Sequence, residues 1–306
     1  EKDFKGERFK DHPVQLKGNN DILSLTQPDI IQKIHEDFLE AGADLIETNS
    51  FSGTRLSQGE YKTDHLIHEL NYTSAQIARK AADAWTEKTP EKPRFVVGCM
   101  GPTGKTLSLS PDVERPEYRD VSFDEVAEAY AESAEALIAG GVDIIMVETI
   151  FDTLTAKASL YAVQQVKEKL NSDIPLMISG TVIDASGRTL SGQTVEAFWA
   201  SVRHAEPFSI GLNCSLGAEQ LLPFAKRLSE TADCYFSMHP NAGLPNELGG
   251  YDETPQHMAD TISTFAEQGL LNIIGGCCGT GPEHIHAVSD AVQHYSPRRI
   301  PRPLRS

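Results

Sequence analysis

The sequence is short of positive charge and of long apolar runs. Of 306 residues, 27 are Lys or Arg and 44 are Asp or Glu, which gives a net charge of −17. A surface of that sign repels phosphate backbones, so we expect no nucleic acid partner. The longest apolar candidates, Val142–Val147 and Leu270–Cys278, fall far short of the ~20 residues that span a bilayer. We therefore expect no membrane partner either.

Cysteine is scarce, and the opening residues do not have the pattern of a secretory leader. There are five cysteines, an odd number, and the opening residues Glu1–Lys5 carry no apolar core of a signal peptide. This combination favours a reducing cytoplasm, with thiols kept for chemistry rather than for disulfides.

Short apolar runs alternate with amphipathic helical patterns along almost the whole chain. Near-continuous apolar strands separated by helices are typical of a parallel sheet that is buried on both faces. The predicted strands are Ala43–Glu47, Arg94–Cys99, Val142–Glu148, Pro175–Gly180, Phe208–Asn213, Cys234–Met238 and Leu271–Gly275. The predicted helices are Pro28–Glu40, Leu66–Thr86, Asp124–Ile138, Thr153–Leu170, Val195–His204, Ala218–Glu230, Pro255–Glu267 and Pro282–His294.

These units predict an α/β fold, a (β/α)8 TIM barrel that lacks its first strand in this chain, because a closed barrel needs eight strands and seven are found. A doubly wound open sheet is the alternative, but no Gly-rich dinucleotide turn follows an early strand. We expect one domain over residues 1–295. The Pro- and Arg-rich segment 296–306 is interpreted as a linker toward a following domain.

Three cysteines stand at predicted strand ends. Cys214 follows one strand, and Cys277 and Cys278 follow the last one. Since the carboxyl ends of barrel strands meet at one rim, we expect the three thiols to meet there. Adjacent residues of a strand point to opposite faces, so the backbone around Cys277 and Cys278 must turn sharply, which the neighbouring glycines permit. Three thiolates without a fourth protein ligand predict a catalytic zinc site with an open position.

The cysteines also admit roles without zinc. Cys99 and Cys234 are interpreted as core residues. A vicinal disulfide between Cys277 and Cys278 is an alternative to zinc, and the Gly-rich segment around them could bind phosphate.

Further patterns are interpreted as carrying no chemistry. Residues 101–106 resemble a phosphate-binding loop, but the first glycine is misplaced and no helix begins after it. The pairs His65/His68 and His284/His286 have metal-binding spacing but no further ligands nearby, which favours ordinary surface histidines.

Gly275–Thr280 together with Gly211–Cys214 resembles the homocysteine S-methyltransferase family. Further segments resemble the homocysteine-binding module of cobalamin-dependent methionine synthases within it, and the likeness covers nearly the whole chain. The family's first strand, with its Asp-Gly-containing turn, has no counterpart here, which agrees with the missing strand and removes part of the expected substrate pocket. The matching segments are Leu16–Asp21, Ile46–Phe51, Ser179–Thr181, Asp184–Gln193 and His239–Pro245.

The resemblance implies L-homocysteine as substrate, activated on Zn²⁺ as a thiolate for methyl transfer to give methionine. It implies methylcobalamin as the donor, carried by another module of a parent chain that also holds a folate-binding module. Glu148 matches a residue that binds the substrate amino group, and Thr48 matches one at the substrate carboxylate. Asn241 matches a residue that occupies zinc until homocysteine displaces it. No catalytic residue is expected beyond the zinc site.

Three alternatives stay open. A free-standing homocysteine methyltransferase would use a sulfonium or betaine donor. A zinc-binding interaction module would keep its metal four-coordinate and ignore homocysteine. A phosphate-binding barrel lyase would need a well-placed Schiff-base Lys, which the pattern does not offer.

Overall fold

The computed structural model describes residues 1–301. The chain divides into two compact units. Unit 1 comprises residues 1–40, 44–147 and 154–175, and unit 2 comprises residues 41–43, 148–153 and 176–301. The strand Ile144–Ile150 contributes residues to both units.

Unit 1 carries three parallel strands, β1 (Leu45–Glu47), β2 (Phe95–Met100) and β3 (Ile144–Ile150), with β1 paired to β2 and β2 to β3. Its helix α6 (Phe123–Ala139) begins at a complete capping box, in which Ser122 and Glu125 satisfy each other's backbone N–H groups. The elements are α1 Lys2–Lys5, α2 Leu23–Thr26, α3 Pro28–Glu40, β1 Leu45–Glu47, α4 Arg55–Gln58, α5 Ile67–Lys88, β2 Phe95–Met100, α6 Phe123–Ala139, β3 Ile144–Ile150 and α7 Thr153–Leu170.

The segment ahead of α3 contains no strand. Leu16 and Ile22 are buried there against Leu66 and Leu70, and Phe4 and Phe9 pack on this cluster. A small apolar cluster thus anchors the first 22 residues of unit 1 on α5.

Unit 2 carries four parallel strands, β4 (Leu176–Gly180), β5 (Ser209–Gly217), β6 (Tyr235–Asn241) and β7 (Ile273–Ile274), each paired with the next one along the chain. Helix α9 (Ala218–Thr231) begins directly after β5 and packs its apolar side against β5 and β6. The elements are β4 Leu176–Gly180, α8 Val195–Val202, β5 Ser209–Gly217, α9 Ala218–Thr231, β6 Tyr235–Asn241, α10 Pro255–Glu267, β7 Ile273–Ile274 and α11 Pro282–Val292.

All seven predicted strands are present, and the strands follow one another in chain order. The predicted α/β class is therefore correct, and seven strands among residues 1–301 agree with a barrel-type order that lacks one strand. The last strand is shorter than predicted: β7 covers two residues, both half-buried, where Leu271–Gly275 was expected. Within residues 1–301 no helix combines the length and apolarity needed to cross a bilayer.

The predicted linker 296–306 is described only as far as residue 301, and residues 302–306 lie outside the described residues. Its described part is held by Arg298, which is 5% exposed. The guanidinium donates to the carbonyl oxygens of Ser229 and Ala232 at the end of α9 and to that of Cys234 at 2.7 Å. This segment is therefore attached to unit 2 at least as far as Arg298.

Candidate functional site

Cys214 lies within β5, not beyond its end as the sequence suggested. The pairing of β5 with β6 shifts register between Asn213 and Gly217, so the strand continues through an irregularity. Cys214 and Ser215 both have positive φ, 61° and 64°, a backbone conformation that few side chains other than Gly, Asn and Asp adopt. The apolar pattern stops at Asn213, which explains why the predicted strand ended there.

Cys277 and Cys278 lie beyond β7, against the end of β6. The Cys277 N–H donates to the carbonyl of Pro240 at 2.7 Å, and the Ala242 N–H donates to the carbonyl of Cys278 at 2.9 Å. The Thr280 N–H closes a turn on the Cys277 carbonyl at 3.1 Å, and Gly279 has φ +78°. The sharp turn expected from the neighbouring glycines is thus centred on Gly279.

The structure brings the three sulfurs together. The Sγ atoms of Cys214 and Cys278 are 3.7 Å apart, and those of Cys277 and Cys278 are 4.0 Å apart. All three lie within 4.8 Å of one another, and none belongs to a disulfide. A tetrahedral zinc ion with Zn–S bonds of about 2.3 Å separates its sulfurs by about 3.8 Å. The cluster therefore has the spacing of a thiolate zinc site.

The thiols compete for protons. A hydrogen bond from the Cys277 thiol lowers the pKa of Cys214 to about 5. That same hydrogen bond, with burial and the negative charges of Cys214, Cys278 and Glu148, raises the pKa of Cys277 far above its usual value. Burial and the charge of Cys214 raise the pKa of Cys278. One thiolate forms readily, but three thiolates need a cation between them.

Asn241 and Tyr251 flank these thiols. Asn241 is the last residue of β6, where a loop was expected, and is 2% exposed. Its Oδ1 accepts the N–H of Cys278 at 3.1 Å, and its side chain also hydrogen-bonds the Cys214 sulfur. The Tyr251 hydroxyl donates to the Cys278 sulfur. The ring packs so closely on Gly279 that a Cβ there would lie 2.3 Å from the Cβ of Tyr251.

Glu148 lies on β3, two residues before that strand ends, and is 7% exposed. Its negative charge acts on Cys277, which places the carboxylate near the thiol cluster. Asn213 donates to Glu148 Oε2 at 3.5 Å, and the Thr149 hydroxyl lies 3.4 Å from the same oxygen. A buried carboxylate beside the thiols is suited to hold an ammonium group.

Thr48 belongs to unit 1, just beyond β1, and is 4% exposed. Its hydroxyl accepts the Cys99 N–H at 2.9 Å and pairs with the Ser50 hydroxyl at 2.6 Å, and Ser50 donates on to the Cys99 carbonyl at 2.8 Å. The hydroxyl of Thr48 thus ties the end of β1 to β2 within unit 1.

The residues for which the sequence predicted no catalytic or metal-binding role lie outside the thiol cluster. Cys99 is buried in β2, and Cys234 is a half-buried thiol whose pKa is raised to about 11 by burial. His284 accepts the Gly281 N–H at the start of α11 and contacts the Glu253 carbonyl at 2.7 Å, so it is more than a surface residue. Residues 101–106 lie in a loop that reaches no helix before α6.

Sequence reasoning missed Asn213 and Tyr251. Asn213 is a polar residue at the end of an apolar run that precedes a chemically important cysteine, and that contrast was the available signal. Tyr251 carries no such signal, because its contact with Cys278 depends on how the loop after β6 folds back.

Thiols gathered at the carboxyl ends of parallel strands, beside a buried carboxylate, have the form of the active site of a parallel-barrel enzyme. A model of the homocysteine S-methyltransferase family matches residues 2–292. The chain belongs to this family, and it is a methyltransferase of homocysteine.

Solved structures show the same fold. The homocysteine methyltransferase MmuM from Escherichia coli, in its metallated form, is 23% identical with a TM-score of 0.66, over 88% of this chain and 86% of that chain. The oxidized form of MmuM is 21% identical with a TM-score of 0.71, over 92% of this chain and 91% of that chain.

Proposed function

We propose that this chain activates L-homocysteine on a zinc ion held by Cys214, Cys277 and Cys278, and that methyl transfer to the substrate sulfur gives methionine. The observation that supports this most directly is the sulfur spacing of 3.7 and 4.0 Å, which fits a tetrahedral zinc ion. Three protein ligands leave the fourth position for the substrate sulfur, the pattern of catalytic rather than structural sites.

The chemistry that zinc supplies, when bound, is stabilisation of the homocysteine sulfur as a thiolate at neutral pH. The protein contributes a rigid ligand set. Hydrogen bonds from Cys277 to Pro240 and from Ala242 to Cys278 fix the two adjacent cysteines on the end of β6. Tyr251 donates to the Cys278 sulfur, which moderates the charge on that ligand. The substrate sulfur, once deprotonated, forms a bond to the donor methyl carbon while the bond between that carbon and the donor breaks, and the electron pair of the broken bond stays with the donor.

Three side chains are assigned to substrate and metal. The Glu148 carboxylate holds the ammonium group, supported by its burial beside the thiols. Asn241 is the ligand that homocysteine displaces, supported by its side-chain bond to Cys214 and its position against Cys278. Thr48 remains assigned to the substrate carboxylate. Because its hydroxyl is engaged by Cys99 and Ser50, this assignment requires those bonds to be shared or exchanged.

We assign the donor role to methylcobalamin on a separate module of a parent chain that also carries a folate-binding module. In this proposal residues 1–295 form one homocysteine-binding domain of the (β/α)8 barrel class that lacks its first strand, and segment 296–306 leads to the next domain. The half-exposed thiol cluster suits a reducing compartment, the cytoplasm.

A second donor class is favoured by one observation. The MmuM chains, with which this chain aligns over 91% of their length in the oxidized form, are homocysteine methyltransferases of similar size. A free-standing enzyme with a sulfonium or betaine donor is therefore the alternative. Supplying methylcobalamin, S-methylmethionine or betaine to the zinc-loaded chain separates the two: turnover with either of the last two would overturn the cobalamin assignment.

Zinc-edge X-ray absorption on the purified chain, with and without L-homocysteine, tests the activation site. We expect three sulfur ligands alone and four with homocysteine. Cys234→Ser is the matched control, because Cys234 lies outside the cluster and its loss leaves the sulfur count unchanged. Reduced, metal-replete protein without bound zinc would contradict the proposal.

A further inference from the structure

Asn213 uses all of its side-chain hydrogen-bonding capacity inside unit 2. It is 1% exposed. Its Oδ1 accepts the Thr149 N–H at 3.1 Å and the Ser179 hydroxyl at 2.7 Å. Its Nδ2 donates to Thr149 Oγ1 at 2.8 Å and to Glu148 Oε2 at 3.5 Å. One carboxamide thus connects β4 and β5 to the end of β3.

These bonds hold the backbone at Glu148 in an unusual shape. Thr149 has φ 54°, and a β-branched residue at positive φ is a genuine outlier. Such a conformation persists only where the surroundings impose it. Asn213 hydrogen-bonds both the N–H and the hydroxyl of Thr149. It therefore fixes the backbone next to Glu148, and with it the position from which the Glu148 side chain extends.

Asn213 is also the chain neighbour of one of the three cysteines. Cys214 follows Asn213 in the chain, and its own backbone is left-handed at the register shift of β5. The Asn213 carbonyl accepts the Thr181 hydroxyl at 3.0 Å, which restrains this irregular stretch. Asn213 therefore positions the Glu148 carboxylate through its side chain and the Cys214 thiol through its backbone.

We propose that Asn213 is a positioning residue that fixes the Glu148 carboxylate relative to the Cys214 sulfur, and thereby selects a thiol substrate with an amino group at the spacing found in homocysteine. This inference rests on the proposed function. Because Asn213 acts on the ammonium end only through Glu148, its removal weakens recognition of the amino group and leaves the metal ligands in place.

The test compares L-homocysteine with 4-mercaptobutanoate, the same thiol without the amino group, by calorimetric binding to the zinc-loaded full chain. Asn213→Ala is expected to weaken homocysteine binding about tenfold to a hundredfold, the range expected when one hydrogen bond to a charged group is lost. Binding of 4-mercaptobutanoate should change less than about threefold, with one zinc retained per chain by metal analysis.

Asn213→Asp keeps the shape and the acceptor oxygen but replaces the donor to Glu148 by a second carboxylate oxygen. It should reproduce the loss of selectivity in a folded protein. Asn272→Ala is the matched control, because the Asn272 carboxamide likewise both accepts and donates within unit 2: it accepts the Phe236 N–H at 3.0 Å and donates to the Arg298 carbonyl at 2.8 Å. Its loss should cost stability but leave the homocysteine preference unchanged.

Two outcomes distinguish failure of the Asn213 role from failure of the proposed function. If the native chain prefers homocysteine and both Asn213 variants keep that preference, the positioning role is wrong and the zinc mechanism stands. If the native zinc-loaded chain binds both thiols equally, the ammonium role of Glu148 fails, and the role of Asn213 fails with it.

Discussion

Arg298 provides a sharp test of the packing in unit 2. Its buried guanidinium donates to three main-chain carbonyls, those of Ser229, Ala232 and Cys234. Burial lowers its pKa, yet the site suits a cation because a helix C-terminus carries partial negative charge. Arg298→Ala would leave these carbonyls without their donor and remove a cation from the end of α9.

The expected cost follows from these bonds. A hydrogen bond that involves a charged donor contributes about 1.5 kcal/mol or more, so three such bonds give at least about 4.5 kcal/mol before the cost of burying the cation is deducted. We expect Arg298→Ala to lower the free energy of unfolding by about 3 kcal/mol. Arg298→Lys should recover part of this loss, because one ammonium cannot match the planar fork of a guanidinium.

Urea denaturation, followed by circular dichroism, measures the effect. Arg299→Ala is the matched control: the adjacent arginine is exposed, and its removal should change the free energy of unfolding by less than about 0.5 kcal/mol. If the Arg298 and Arg299 variants unfold alike, the anchoring role assigned to Arg298 is refuted.

Three further predictions concern the thiols and one buried acid. Cys277→Ser should lose stoichiometric zinc while Cys234→Ser keeps it, as metal analysis would detect. Metal-free protein exposed to mild oxidant should join Cys214 to Cys278, whose sulfurs are 3.7 Å apart, and peptide mapping would reveal a different linkage if this is wrong. Burial raises the pKa of Asp21 to about 7, so the contribution of Asp21 to stability is greatest below pH 4 and is lost as the pH rises to 7. In urea titrations the native chain should therefore lose stability over that pH range relative to the Asp21→Asn variant. A stability difference between the two chains that does not depend on pH would contradict this prediction.

Much of the fold follows from local pattern. The helices Pro28–Glu40, Thr153–Leu170 and Pro255–Glu267 have the bounds that their apolar periodicity predicted. The meeting of Cys214 with the distant pair Cys277 and Cys278 at one edge also followed, because parallel strands bring their carboxyl ends together. Membership of the homocysteine S-methyltransferase family, first indicated by the motifs around Cys214 and Cys277, is confirmed.

What the sequence could not supply depends on long-range contacts. Apolar alternation stops at Asn213, and nothing local indicates that Cys214 and Ser215 continue β5 in a left-handed conformation. The tail around Arg298 resembles a linker by composition, yet its guanidinium reaches carbonyls nearly seventy residues away. Short-range patterns carry no information on such partners.

The positions of the three sulfurs along the chain mean that a bound zinc ion would also affect the stability of the fold. Cys214 and Cys278 are 64 residues apart, and helices α9, α10 and strands β6, β7 lie between them. A zinc ion bound to both would act as a cross-link, and closing a loop of that length restricts the unfolded chain by about 4 kcal/mol in the chain-entropy model. Chelation would then loosen half of unit 2 as well as stop methyl transfer. The resistance of this segment to proteolysis would report how much of the protein is loaded with metal, without any substrate present.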